Sequence, residues 1–291
     1  MLKAQSIQIR DPFILPVARE KKYYLFGTTD KNCWAPPATG FDCYVSADLE
    51  HWEGPRPAFR SPPGFWADRN FWAPEVHGYH GRYHMFASFK SADRRRGTQI
   101  LVANAAAGPY QPLGANPVTP PDWECLDGTL YVGKNAVPWL VFSHEWVQVH
   151  DGEICAVRLS SDLKRANGDP LVLFRASEAP WVPRNAKGDY ITDGPFLYRA
   201  SNGELLMLWS SGGPRGYAMG IARSPSGRVQ GPWRQDPEPL YAEDGGHGML
   251  FTTFAGQLMF ALHSPNRTPD ERPLFVPVED VKGQLRIAKG N

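Results

Sequence analysis

Asp11-Pro12-Phe13-Ile14-Leu15, a polar gap, and then Lys22-Tyr23-Tyr24-Leu25-Phe26-Gly27-Thr28 make up a phrase that recurs along the whole chain. Ala73-Pro74-Glu75-Val76-His77 followed by Gly81-Arg82-Tyr83-His84-Met85-Phe86-Ala87-Ser88 is a second copy. Asp127-Gly128-Thr129-Leu130-Tyr131-Val132 with Pro138-Trp139-Leu140-Val141-Phe142-Ser143 is a third. Asp193-Gly194-Pro195-Phe196-Leu197-Tyr198 with Gly203-Glu204-Leu205-Leu206-Met207-Leu208-Trp209-Ser210 is a fourth. His247-Gly248-Met249-Leu250-Phe251 with Gly256-Gln257-Leu258-Met259-Phe260-Ala261-Leu262 is a fifth. The spacing, roughly 55–65 residues, is that of one propeller blade with its loops. The apolar runs are short, aromatic or β-branched, and punctuated by Gly, Pro, Asn and Asp, as strands and hairpins are. Outer hairpins are expected where 41–45, 99–103, 154–159 and 217–222 lead into turn residues. The pattern predicts one all-β domain over residues 1–291. It is a five-bladed β-propeller with four-stranded antiparallel blades around a central channel. A sandwich would not repeat such a phrase at blade intervals, and the rungs of a β-helix are much shorter.

Such a ring brings the starts of its innermost strands together at one end of the axis. Three of the five phrases open on an aspartate and the fifth on His247, so Asp11, Asp127 and Asp193 are expected in a single pocket. The composition is that of a globular protein, with 42% hydrophobic and 21% charged residues. The 12% aromatic content, including 10 Trp, suits close-packed sheets and a pocket that stacks sugar rings. A formal net charge of +1 points to neither nucleic acid nor a membrane surface. The basic run Arg94-Arg95-Arg96, followed by Gly97, reads as a solvated loop tip. No apolar stretch reaches the length of a membrane span, and no signal peptide is visible, which predicts a cytoplasmic protein. Cys33, Cys43, Cys125 and Cys155 form no C-x-x-C pair and are expected as buried free thiols.

The residues at the blade openings resemble those of glycoside hydrolase family 43. Arg10-Asp11-Pro12-Phe13-Ile14 with Tyr23-Tyr24-Leu25-Phe26-Gly27-Thr28 is similar to the family's opening. Phe71-Trp72-Ala73-Pro74-Glu75-Val76, Leu126-Asp127-Gly128-Thr129-Leu130-Tyr131, Thr192-Asp193-Gly194-Pro195-Phe196-Leu197-Tyr198 and Gly246-His247-Gly248 resemble its later blade segments, in order. The resemblance implies a five-bladed propeller and an inverting hydrolase, exo-acting on α-L-arabinofuranosyl or β-D-xylosyl residues of plant-derived oligosaccharides. It also implies Asp11 as general base, Asp127 as the carboxylate that positions the acid and raises its pKa, and Asp193 as general acid. The family most often has Glu at that last position, and the aspartate here reaches roughly 1.5 Å less far. Glu145, in His144-Glu145-Trp146, is the alternative acid, and Glu75 a further one.

Inverting hydrolysis needs one carboxyl to protonate the leaving oxygen and another, about 6.5–9.5 Å away, to deprotonate the attacking water. The acid must stay protonated near neutral pH, which burial and a neighbouring carboxylate favour, and the base must stay ionised. Arg10 is not assigned as the base's partner, because adjacent side chains of a strand face opposite sides. Candidate substrate-binding residues are Trp72, Phe71, Glu75, Trp34, Trp146, His144 and Arg272. No cofactor is required. The resemblance implies that His247 contacts a metal ion through waters, and a structural calcium or sodium ion in the central channel is a candidate. The loops 30–41 and 54–69 are candidates for closing one end of the cleft. The expected partner is a carbohydrate, and oligomeric state leaves no trace in the sequence. The competing reading is a carbohydrate-binding or catalytically weak propeller with Asp193 as its lesion. An interaction propeller of the WD40 or kelch kind lacks support, since their repeat phrases are absent.

Overall fold

A computed structural model of the chain describes residues 1–288. The fold is a five-bladed β-propeller, each blade an antiparallel sheet with sequential strand order. Blade 1 comprises Arg10–Val17, Lys22–Thr28, Gly40–Ser46 and His51–Arg60, and a two-residue strand, Leu2–Lys3, adds to its outer edge. Blade 2 comprises Arg69–Tyr79, Arg82–Lys90, Gly97–Ala103 and Gln111–Pro112. Blade 3 comprises Cys125–Val132, Pro138–His144, Glu153–Leu159 and Ala166–Arg175. Blade 4 comprises Asp193–Arg199, Leu205–Gly213, Gly216–Ser224 and Arg234–Gln235. Blade 5 comprises Gly246–Thr252, Leu258–Ser264, Arg272–Val281 and Gln284–Ile287. The expected hairpins are all present. Residues 54–60, read as part of a loop, belong instead to the outer strand His51–Arg60.

The second strands read as unbroken apolar runs because both faces of a blade are covered by its neighbours. Leu205 to Trp209 are all fully buried. Phe41, Phe59 and Phe71 each meet Phe89 edge to face between blades 1 and 2 and are tilted against one another. Trp181 and Phe174 pack on Trp209 between blades 3 and 4. Blade 5 closes on blade 1 without sharing strands with it. Tyr23 stacks on Phe254 at 4.3 Å, and the Ile9 amide donates to the Glu271 carbonyl at 3.3 Å. The four cysteines are free and buried.

Each inner strand carries a β-bulge near its start, where the register with the second strand shifts. The bulge residue is left-handed in every blade: Asp11 (φ 53°), Ala73 (48°), Asp127 (58°), Gly194 (50°) and His247 (46°). A bulge re-aims side chains and often lies beside an active site. It also leaves a backbone amide to be satisfied from elsewhere. In four blades that amide bonds a side chain from the second strand of the preceding blade. Thr28 Oγ1 accepts from Ala73, Ser88 Oγ from Asp127, Ser210 Oγ from His247 and His263 Nδ1 from Asp11. In blade 4 the Gly194 amide donates to Asp127 Oδ2 at 2.9 Å instead, and Ser143, which holds the equivalent place in blade 3, has no partner for its hydroxyl among the described residues. The fivefold ring of inter-blade bonds thus continues through every blade, but at one position the acceptor is an inner-strand carboxylate.

Candidate active site

Because inner strands start at one face and second strands end there, the connections 29–39, 91–96, 145–152 and 265–271 all lie over the mouth of the channel. A cavity of about 410 Å³ opens at that face. Asp11, Asp127, Asp193 and His247 from the inner strands line it, as do Trp34, Glu145, Trp146 and Asn266 from the connections. Arg10, Trp72 and Tyr217 complete its polar and aromatic wall. The bulges explain why sequence neighbours share this wall. Arg10 and Asp11, and likewise Leu126 and Asp127, would point apart in a regular strand, yet both members of each pair face the cavity. Arg10 is thus a charged neighbour of Asp11, contrary to the expectation for a regular strand.

The bulge also separates Asp193 from the other two aspartates. Asp193 pairs with Ser210 as Arg10 pairs with Thr28, so it precedes the left-handed position that Asp11 and Asp127 occupy. In blade 4 that position belongs to Gly194, where a Cβ would lie 2.7 Å from the His247 ring. A side chain there would displace His247, so the carboxylate of this blade enters the cavity from one residue earlier.

Asp11 is surrounded by donors. Thr28 Oγ1 donates to its Oδ2 at 2.7 Å, and His247 Nδ1 lies 3.2 Å from its Oδ1. The Asp11 amide donates to His263 Nδ1, so that nitrogen carries no proton and the ring's proton sits on Nε2, 3.0 Å from Asn266 Oδ1. Burial pushes His263 down to about 4, which keeps this ring neutral. Burial alone would raise the Asp11 carboxyl. His247 and Arg10, with the Thr28 hydrogen bond, outweigh it and hold Asp11 below the usual carboxylate range. Arg10 is itself fixed by Glu271 at 2.7 Å and Asn266 at 2.8 Å, with its guanidinium 5.0 Å from the Trp34 ring.

The other carboxyls are driven the opposite way. Burial, and after it the charge of Asp11, raises Asp127 well above its ordinary range. Burial, and after it Asp127, pushes Asp193 up to about 8. The Tyr217 hydroxyl donates to Asp193 Oδ2 at 2.9 Å. The cavity therefore holds one carboxyl kept ionised, Asp11, and two, Asp127 and Asp193, pushed toward the protonated form. Glu145 is buried and hydrogen-bonded to Arg96, and burial raises its pKa despite that partner. Arg96 stacks on Trp72 with its guanidinium 4.2 Å from the ring centroid.

Trp34, Trp72 and Trp146 thus line the cavity as expected candidates, and four other candidates sit elsewhere. Phe71 is buried in the aromatic packing between blades 1 and 2. Glu75 lies farther along the inner strand and bonds His77 at 3.1 Å. His144 stacks on Trp123 and bonds Glu153 and Gln148, behind the connection that carries Glu145. Arg272 donates to the carbonyls of Gln5, Pro269 and Glu271, which straps the first residues to blade 5. Of the Arg94-Arg95-Arg96 run, only the first two are exposed, whereas Arg96 is 6% exposed and belongs to the site wall. Among the described residues no group of three or more His, Cys, Asp or Glu side chains is arranged to hold a metal ion. His247 Nδ1 faces Asp11 and Asp127.

No curated protein matches the chain. Solved structures do. An endo-arabinase from Bacteroides thetaiotaomicron VPI-5482 is 42% identical, with a TM-score of 0.91 over 98% of this chain and 99% of that one. An exo-1,5-alpha-L-arabinanase from a bovine ruminal metagenomic library is 17% identical, with a TM-score of 0.71 over 97% of each chain. An alpha-L-arabinofuranosidase from Lactobacillus brevis is 15% identical, with a TM-score of 0.75 over 96% of this chain and 94% of that one. These last two likenesses concern the fold alone. Residues 5–277 match the family described as glycosyl hydrolases family 43. The chain, a carbohydrate-directed glycoside hydrolase, belongs to that family.

Proposed function

We propose that the protein is an inverting hydrolase of α-L-arabinofuranosyl linkages, with Asp11 as general base, Asp193 as general acid and Asp127 as the residue that holds Asp193 protonated. The observation that carries this reading is the opposed pair of carboxyls in one cavity: Asp11 held low and Asp193 pushed up to about 8. In the reaction Asp11 takes a proton from water as its oxygen attacks the anomeric carbon. Asp193 gives its proton to the leaving oxygen, and the anomeric configuration inverts. His247 and Thr28 keep Asp11 ionised and oriented, while Tyr217 fixes the Asp193 oxygen that does not donate. Glu145 is less suited to the acid's role, since its carboxyl is engaged by the Arg96 guanidinium, although burial raises its pKa as well. Trp34 and Trp72 supply stacking surface for the sugar, and no step here is routed through a metal ion.

The exo mode suits small oligosaccharides, but one observation favours attack within a chain. Trp146 is shared between the catalytic cavity and a second cavity of about 490 Å³ lined by His150, Asn185, Lys187 and Asp189. A relative that is 42% identical is described as an endo-arabinase. Incubation with linear arabino-oligosaccharides of defined length, with proton NMR of the first-formed anomer, tests both points. The reading requires an inverted anomer, and Asp11→Asn and Asp193→Asn should each lower kcat by about 10²–10⁴-fold. Retention of configuration, or full activity in either variant, would defeat the assignment. Single-sugar products identify exo attack, and longer first products identify endo attack.

A further inference from the structure

We infer that a third cavity on the channel-mouth face, beside Trp66, is a distal subsite for a carboxylate-bearing sugar, so that the enzyme engages glycans containing uronic acid residues. The cavity, of about 620 Å³, is larger than the catalytic one. Trp66, Arg94, Arg95, Arg96 and Asn116 line it, with Asp93 as its one acidic residue. It adjoins the catalytic cavity through Arg96, whose guanidinium contacts Glu145 and Trp72 of that wall. A glycan lying across the face would thus pass from one to the other.

The arginines are unevenly paired. Arg96 is committed to Glu145. Arg95 is 3.7 Å from a Glu124 oxygen that Lys90 already bonds at 2.9 Å. Arg94 pairs with no carboxylate among the described residues; it donates to Asn116 Oδ1 at 3.4 Å and lies over the Trp66 ring, 5.8 Å from its centroid. Asp93 is turned toward Ser91. Two exposed guanidinium groups therefore face a concave space beside a partly exposed indole. A planar guanidinium binds a carboxylate through two parallel hydrogen bonds, and an indole face stacks on a sugar ring. Together they match a pyranose that carries a carboxylate. Trp66 is held for stacking by Gln99, which accepts from its Nε1 at 3.0 Å, and by Phe65 against its ring.

The inference extends the proposed glycan-hydrolase reading to a substrate class, and its test does not depend on hydrolysis. Titration calorimetry with a tetramer of galacturonic acid, and with its fully methyl-esterified form, measures recognition of the carboxylate. The acid form should bind and the ester should bind at least tenfold more weakly. Arg94→Gln/Arg95→Gln should weaken binding of the acid form by about tenfold or more, because charged hydrogen bonds are lost. The same double variant should hydrolyse a small neutral aryl arabinofuranoside at the wild-type rate, since neither side chain touches the catalytic cavity. Equal binding of acid and ester, no binding of the acid form, or unchanged binding in the double variant would overturn the inference. Binding without hydrolysis of any arabinofuranoside would instead refute the proposed activity and leave the subsite standing.

Discussion

Tyr217→Phe offers the sharpest test of Asp193 as the proton donor. The Tyr217 hydroxyl donates to Asp193 Oδ2 at 2.9 Å in a buried setting. A donor favours the ionised carboxylate over the protonated acid, so this bond lowers the Asp193 pKa against the burial and the Asp127 charge that raise it to about 8. A hydrogen bond to a charged group contributes about 1.5–3 kcal/mol, and one pKa unit corresponds to about 1.36 kcal/mol. Removing the hydroxyl should therefore raise Asp193 by about one to two units. In a profile of kcat/KM against pH, the alkaline limb reports loss of the acid's proton. That limb should move to higher pH by this amount in Tyr217→Phe, while the acid limb, set by Asp11, stays in place. A limb that does not move, or that moves to lower pH, refutes the assignment. With Glu145 as the acid the limb would hold still, because Tyr217 bonds Asp193 and not Glu145.

Ser88→Ala and Ser210→Ala should each cost about 1–3 kcal/mol in urea unfolding, because each leaves a buried bulge amide without an acceptor. Ser143→Ala should be close to neutral in the same assay, since its hydroxyl has no partner among the described residues. Arg96→Ala should destabilise the fold by about 3–5 kcal/mol, the cost of leaving the buried Glu145 unpaired. Thermal unfolding at neutral pH checks this, and the double variant Arg96→Ala/Glu145→Gln should recover part of the loss. His263 takes up a proton more readily unfolded, near its ordinary 6.5, than folded, where burial holds it at about 4. Its contribution is full above about 6.5 and lost as pH falls toward 4, about 3 kcal/mol in all. Stability measured across that window should fall less steeply in His263→Gln than in the wild type.

The blades were legible because strand periodicity and turn residues are local signals, and the same phrase could be laid over itself along the chain. Asp11 and Asp127 were legible because they open such phrases at equivalent places. Asp193 was legible as a site residue but not in its register. A bulge is a shift of one backbone position, and Asp193-Gly194-Pro195 reads like Asp11-Pro12 until the pairing with the second strand is known. Arg96 was hidden because a run of charges ordinarily marks a solvated loop, and its buried partner lies in the next blade. His263 and Asn266 gave no signal, since their role is defined by contact with residues some 250 positions earlier. Phe71 and Trp72 are adjacent and aromatic, but only one of them turns toward the cavity.

The bond between the Asp11 amide and His263 lies where the last blade meets the first. Arg10 with Glu271 and His247 with Asp11 lie at the same seam. Asp11, the proposed general base, has Thr28 and Arg10 from its own blade but gains His247 and His263 only when the ring shuts. While the chain is being synthesised, Asp11 emerges early and waits for partners encoded more than 230 residues later. Four finished blades would bury most of the core and still leave Asp11 without His247 and His263. On the proposed mechanism, catalysis serves as an internal report on circular completeness: a molecule whose seam opens loses its chemistry before it loses its sheets.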